Sequence, residues 1–170
     1  MPKPHIAPLQ HGRARLRLLQ EADLPMTRDW RNQDHIRRWF LHSDIITPEQ
    51  HERWWQAYRE RDDDFVFVIE ETETLARPVG QVSIYNIDRI AARAEFGRLM
   101  IGDRAASGLG LARLATTALI ENAPTNWGLR EIYLEVLQDN SAAIAVYRAC
   151  GFRETARSAG LVHMTRSLNA

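Results

Sequence analysis

The stretch from Leu134 to Phe152 limits what this chain can fold into more than any other. Leu134-Glu135-Val136-Leu137 reads as a buried strand, Glu135 included, and Asn140 stands at the place of a helix N-cap. Ser141 to Ala149 follows as a helix with one tyrosine, Tyr147, before Gly151-Phe152 returns the chain to a strand. Upstream, the strand Leu99-Met100-Ile101 leads through the loop Gly102 to Ser107 into Gly108-Leu109-Gly110. A second helix opens there, reading from Leu109 to Glu121 and stopped near Pro124. Strands that alternate with helices in this way must share a sheet on which the helices pack.

Ahead of these units the strands meander. Arg13 to Leu18 alternates as a half-exposed strand does, and the residues before it read as loose. Glu21 to Arg31, interrupted at Pro25, and His35 to Leu41 read as short helical pieces. Thr47-Pro48-Glu49-Gln50 supplies the N-cap, first-turn proline and closing Gln of a capping box. Asp64 to Ile69, Val79 to Tyr85, Ala94 to Ile101 and Glu131 to Leu137 are strands, with Phe152 to Arg157 and Leu161 to Arg166 as a final pair. The expectation is one α+β domain over residues 1–170, built on a mixed, mostly antiparallel central sheet flanked by helices.

Charge narrows the partners. Lys plus Arg and Asp plus Glu both number 22, so no net field draws in nucleic acid or an anionic membrane. The opening Met1-Pro2-Lys3-Pro4-His5 lacks the apolar run of a signal peptide, and the single Cys150 suits a reducing cytoplasm. Beside Gly151-Phe152 that thiol reads as packed and inert. The histidines show no metal spacing: the place four residues after His51 is Trp55.

A glycine-flanked helix start can hold a diphosphate, because backbone N–H groups and the helix dipole both favour an anion there. The loop is not a Walker loop, since no Gly-Lys-Ser/Thr follows, and it has too few glycines for a dinucleotide fingerprint. With the Asn140–Tyr147 helix downstream, the pair of motifs resembles the GNAT superfamily of N-acetyltransferases from about Asp64 onward. The resemblance implies acetyl-coenzyme A as cosubstrate and no metal. It places the coenzyme along Met100, Ile101, Arg104, Ala105, Ala106, Ser107, Gly108, Leu109, Gly110 and Leu111, with Asn140 and Arg148 beyond. The family carries Gln or Arg where this chain has Ala105, and Arg104 stands one place early.

Aminolysis of a thioester expels a thiolate that needs a proton, and a phenol of pKa about 10 can supply it. The resemblance assigns that role to Tyr147. The attacking amine must lose a proton: a lysine-like ammonium is neutral in only roughly one molecule in 2,500 at pH 7, a cost of about 4.6 kcal/mol. Glu135, which interrupts an apolar strand, has the spacing to Tyr147 of the base in ribosomal-protein N-terminal acetyltransferases, and Glu95 is its rival. Each also has a plain reading: Asn140 as a cap, Tyr147 as a core aromatic, either glutamate in an ion pair with an arginine.

Trp30-Arg31-Asn32, followed by Thr47-Pro48-Glu49-Gln50-His51, resembles the branch that acetylates nucleotide-linked amino sugars, which implies Trp30, Arg31, Asn32 and His51 at the acceptor. A protein N-terminal amine and a polyamine stay open, although the neutral net charge argues against a polycation. A coenzyme-binding module without turnover is the alternative of another class. The expected partner is a small-molecule or peptide amine, with a homodimer left open.

Overall fold

The computed structural model describes residues 3–168. Eight strands form one sheet: β1 (Leu9–His11), β2 (Ala14–Leu18), β3 (Asp64–Glu71), β4 (Arg77–Asp88), β5 (Arg93–Ile101), β6 (Glu131–Leu137), β7 (Arg153–Ser158) and β8 (Leu161–Ser167). Their spatial order is β1-β2-β3-β4-β5-β6-β8-β7, and every neighbouring pair is antiparallel except β5 with β6. The helices are α1 (Leu24–Arg31), α2 (Asp34–Arg37), α3 (Pro48–Tyr58), α4 (Leu111–Trp127) and α5 (Ser141–Ala149). The expected α+β sheet, mixed and mostly antiparallel, is what forms.

Strand alternation sorts the core into two layers. Phe65, Phe67 and Ile69 of β3 join Ala115, Ala118, Leu119 and Trp127 of α4, while Val66 and Val68 point the other way against Trp55 and Tyr58 of α3. Helices α4 and α5 therefore cover one face, and α1 and α3 cover β3, β4 and β5 on the other. Each fully buried Phe contributes roughly 1.5–3 kcal/mol. By contrast β7 is exposed along its whole length and borders water at the sheet's end.

Several boundaries differ from the sequence reading, for local reasons. The residues before Arg13 are not all loose: Leu9–His11 pairs with β2 across Gly12, which takes the left-handed turn conformation (φ 56°). Pro25 does not interrupt a helix. It lies in the first turn of α1, after a 3-10 turn at Glu21–Asp23, where a missing N–H costs nothing. Residues 38–41 continue no helix beyond α2. Pro124 does not stop α4, which runs on to Trp127 and ends at left-handed Gly128 (φ 66°) with Trp127 and Leu129 buried.

The N-terminal layer is fixed to the sheet at one crowded point. The Trp30 indole lies so close to Gly102 that a Cβ there would sit 2.0 Å from Trp30 Cγ, and the Gly102 N–H donates to Val79 C=O at 2.8 Å. Gly102→Ala should destabilise the protein by about 1–3 kcal/mol, because neither neighbour can retreat cheaply. Urea unfolding should show a lower midpoint at unchanged slope; a wild-type midpoint would mean that this contact does not hold α1 in place.

Candidate active site

The parallel pair is short. Arg93, Ala94 and Glu95 of β5 register with Glu131, Ile132 and Tyr133 of β6, and no pair follows. Beyond Glu95 the two strands part, so the facing edges from Phe96 to Ile101 and from Leu134 to Leu137 open a wedge. Backbone N–H and C=O groups along such edges need partners from outside the sheet.

Tyr147 lies on the α4 side of this wedge. The α5 helix that carries it starts as expected, with the Asn140 side chain accepting from the Ala143 N–H at 3.3 Å. The Tyr147 ring meets Phe96 edge-on at 5.7 Å and Phe152 at 5.9 Å. Burial, with a smaller contribution from Cys150, pushes its phenol above the ordinary value. The phenol is therefore neutral throughout the physiological range.

Both glutamates lie on the opposite side. In an antiparallel ladder Glu95 faces Tyr85, and through the parallel pair it faces Tyr133. Its carboxylate is already engaged: Tyr85 Oη donates to one oxygen and Asn86 Nδ2 to the other, both at 3.0 Å. Burial, then Glu95 itself, pushes the Tyr85 phenol up, which keeps it a donor. Glu135 is different. The sequence reading of a glutamate buried in an apolar strand needs correction, because β6 is buried on one face only and Glu131, Tyr133 and Glu135 share the open one. Glu135 approaches His163 Nδ1 at 3.7 Å, an ion-pair distance and not a hydrogen bond. Its oxygens are free to accept a proton.

Two bulges frame Glu95, and neither is visible in the sequence. Between Tyr85↔Glu95 and Asp88↔Arg93 the extra residue is on β4, where Asn86 is left-handed (φ 50°). Between Ser83↔Gly97 and Gln81↔Met100 it is on β5, where Arg98 is left-handed (φ 53°). Gly97 lies between them because Tyr85 crosses it: an added Cβ would be 2.6 Å from Tyr85 Oη.

Past the β5 bulge come Met100, which is buried, Ile101, and the glycine loop. Asp103 accepts from the Ala105 N–H at 3.0 Å and starts a 3-10 turn, Arg104–Ala106, with Arg104 and Ala105 exposed and Ala106 buried. Ser107, Gly108 and Leu109 complete the loop, in which Gly108 (φ 81°) and Gly110 (φ 70°) are both left-handed. A Cβ at either glycine would meet nothing within 4 Å, so the space over the loop is open. The first helical bond of α4 runs from the Leu114 N–H to the Gly110 C=O at 3.1 Å, which leaves the amides of Leu111, Ala112 and Arg113 for a ligand. Arg148 on α5 is an exposed neighbour of Glu154 at 3.5 Å.

The N-terminal residues read as acceptor contacts turn out to hold their own segment together. Arg31 is buried, donates to the His42 carbonyl and lies over Phe40 at 4.3 Å, and burial pushes its value down. Asn32 grips Ile46 at both ends, donating to its C=O and accepting from its N–H at 2.8 Å each. Trp30 covers Gly102, as above. His51 touches Arg28 at 3.4 Å and Trp54 at 5.6 Å, and burial followed by Arg28 pushes its imidazole below the ordinary range. Glu95 and Glu135 lie on the same sheet face as these N-terminal helices. Over β6, β8 and β7 the same face carries a groove of about 400 Å3 bordered by Arg93, Tyr133, Thr155, Ser158 and His163.

The mixed, mostly antiparallel sheet with its flanking helices is the fold of an acetyltransferase domain. Residues 13–153 match the acetyltransferase (GNAT) domain family, and the chain belongs to it. Its activity is that of an N-acetyltransferase with acetyl-coenzyme A as cosubstrate. The chain is 25% identical over 139 residues to the spermidine N(1)-acetyltransferase of Vibrio cholerae serotype O1, which spans 82% of this chain and 78% of that protein. The crystal structure of spermidine N-acetyltransferase from Vibrio cholerae in complex with CoA and spermine has the same fold, with a TM-score of 0.81 at 23% identity over 92% of this chain and 96% of that one. A domain from Methanocaldococcus jannaschii matches with a TM-score of 0.78 at 21% identity, covering 91% and 98%. No helix among the described residues is long and apolar enough to cross a membrane.

Gly110→Arg tests the loop. The open space at Gly110 would receive a long side chain in an unfavourable left-handed conformation, at a strain of about 1 kcal/mol that the fold can bear. Calorimetry should show acetyl-coenzyme A binding weakened by roughly 100-fold or more with the thermal transition retained; unchanged affinity would remove the loop from the coenzyme site.

Proposed function

We propose that the chain transfers acetyl directly from acetyl-coenzyme A, lying in the wedge between β5 and β6, to a primary amine that arrives from the Glu135 side. The single observation behind this is the opposed placement of one proton donor, Tyr147, and one unengaged carboxylate, Glu135, across the parted strands. In this reading the coenzyme diphosphate rests on the amides of the Gly108–Arg113 segment. Its amide-bearing arm runs along the open strand edges, as Met100, Ile101 and Asn140 border it. A β5 amide between Arg98 and Met100 polarises the thioester carbonyl. Glu135 takes the amine proton, the nitrogen adds to the carbonyl carbon, and the C–S bond breaks as Tyr147 protonates the sulfur. Glu95, held by Tyr85 and Asn86, orients the amine.

For the acceptor, the spermidine acetyltransferase relatives support a polyamine, ahead of the amino sugar suggested by Trp30-Arg31-Asn32. A second reading has its own observation. The segment from Leu24 to Arg38 carries Arg28, Arg31, Arg37 and Arg38 against Asp29 and Asp34, an excess of two positive charges that suits an acceptor bearing phosphate, such as a nucleotide-linked amino sugar. Thiol release measured over spermidine, spermine, simple alkyl amines and nucleotide-linked amino sugars decides. A higher kcat/KM for spermidine than for the sugars supports the first, and the reverse order establishes the second. Silence across the panel would overturn direct transfer to small amines.

Tyr147→Phe keeps the aromatic packing and removes the donor, so kcat should fall roughly 100-fold at near-constant coenzyme affinity. Because burial raises the Tyr147 value, the wild-type rate should show no alkaline decline from this group below about pH 10; a decline near neutrality would point to another acid.

The glutamates separate by pH profile. Glu135→Gln should lower kcat and flatten the acidic limb, whereas Glu95→Gln should chiefly raise KM for the amine. A flattened limb in Glu95→Gln beside an unaltered profile in Glu135→Gln would reverse the two roles.

A further inference from the structure

Arg98 is the most constrained residue on the open face, and no step above uses its side chain. From β5 the side chain crosses β4, with its guanidinium 4.2 Å over the Tyr85 ring, and reaches β3. There it meets Asp64 as a fork, with Nη1 donating to Oδ1 at 2.8 Å and Nη2 to Oδ2 at 3.2 Å. The Asp64 side chain is 5% exposed, and both of its oxygens accept from this guanidinium. Trp54 of α3 closes the far side at 5.9 Å. One end of the chain of contacts is thus a buried carboxylate. The other is Tyr85, whose hydroxyl holds Glu95.

Arg98 is also the bulged residue, with φ 53°. A non-glycine residue in this conformation persists only where its surroundings over-determine it. Its ladder partner is missing, since β5 advances three residues, Gly97 to Met100, while β4 advances two. The residues that follow the bulge, Leu99 to Ile101, run along the edge of β5 that faces the wedge.

We propose that the Asp64–Arg98 ion pair is a clamp that holds the β5 bulge in its left-handed form and so positions the backbone amide that polarises the acetyl carbonyl. Arg98 is a positioning residue: it touches neither substrate and acts through its own main chain and through Tyr85. The inference rests on the reading of the wedge as the thioester site.

A glycine at this position adopts the bulge without side-chain help, whereas an alanine has the same conformational penalty as arginine and no clamp. Arg98→Gly and Arg98→Ala lose the ion pair equally, so their difference isolates the bulge. The reporter is the infrared carbonyl stretch of acetyl-coenzyme A labelled with 13C at the thioester carbon, which moves to lower wavenumber when a hydrogen bond polarises it. Wild-type protein should show that shift on binding. Arg98→Ala and Asp64→Asn should lose most of it with acetyl-coenzyme A affinity changed less than about threefold, and Arg98→Gly should keep more than half. A shift of wild-type size in Arg98→Ala or Asp64→Asn, or one lost equally in the alanine and glycine variants, overturns the clamp. A wild type without any shift overturns the thioester reading itself and the clamp with it. Should Arg98→Ala fail to fold, the glycine and Asp64→Asn variants still give opposite expected results.

Discussion

Everything in the site follows from the parting of β5 and β6 after three residue pairs. A parallel pair is held by slanted hydrogen bonds and needs a crossover connection, here α4. Once the strands diverge, the sheet contains two unpaired edges in its middle, not at its rim. Buried backbone groups of that kind must find partners. An extended ligand with its own amides is the natural filling, and the crossover helix begins where such a ligand's anionic end would emerge. In the proposed reading, binding and topology are therefore one feature: the connection that makes the pair parallel also supplies the anion site.

The parting also divides the chemistry by face. Tyr147 sits among Phe96 and Phe152 in a dry environment that keeps a phenol neutral, while Glu135 sits on the open face of β6. One residue in β5 separates these worlds, since Phe96 points to one face and Glu95 to the other. In the proposed reaction the two faces thus keep the proton donor apart from the proton acceptor.

Much of this was legible from local sequence. The Thr47–Gln50 capping box forms as read, with 3.2 and 2.9 Å bonds, and α5 runs from Ser141 to Ala149 as its cap and Gly151 indicate. The glycine loop precedes a helix as expected. What escaped depends on register, which joins residues distant in sequence. Tyr85, Asn86, Arg98 and Asp64 meet around Glu95 only because two bulges set which residues face one another, and neither Asn86 nor Arg98 has a composition that marks a bulge. Glu135 was misjudged for the same reason: the run Leu134 to Leu137 looks buried throughout until the bare side of β6 is seen. Trp30, Arg31 and Asn32 carry a recognisable pattern, yet much of it serves the segment's own hydrogen bonds.

The exposed strand β7 has a different significance. None of its six side chains belongs to the core, yet Thr155, Ala156 and Ser158 edge the groove beside His163 and Tyr133. Substitutions there change the groove's shape and polarity with almost no effect on folding, because nothing apolar is uncovered. Stability and the shape of the groove are inherited through separate parts of the sheet. A lineage built on this fold can drift in sequence along β7 without passing through an unstable intermediate.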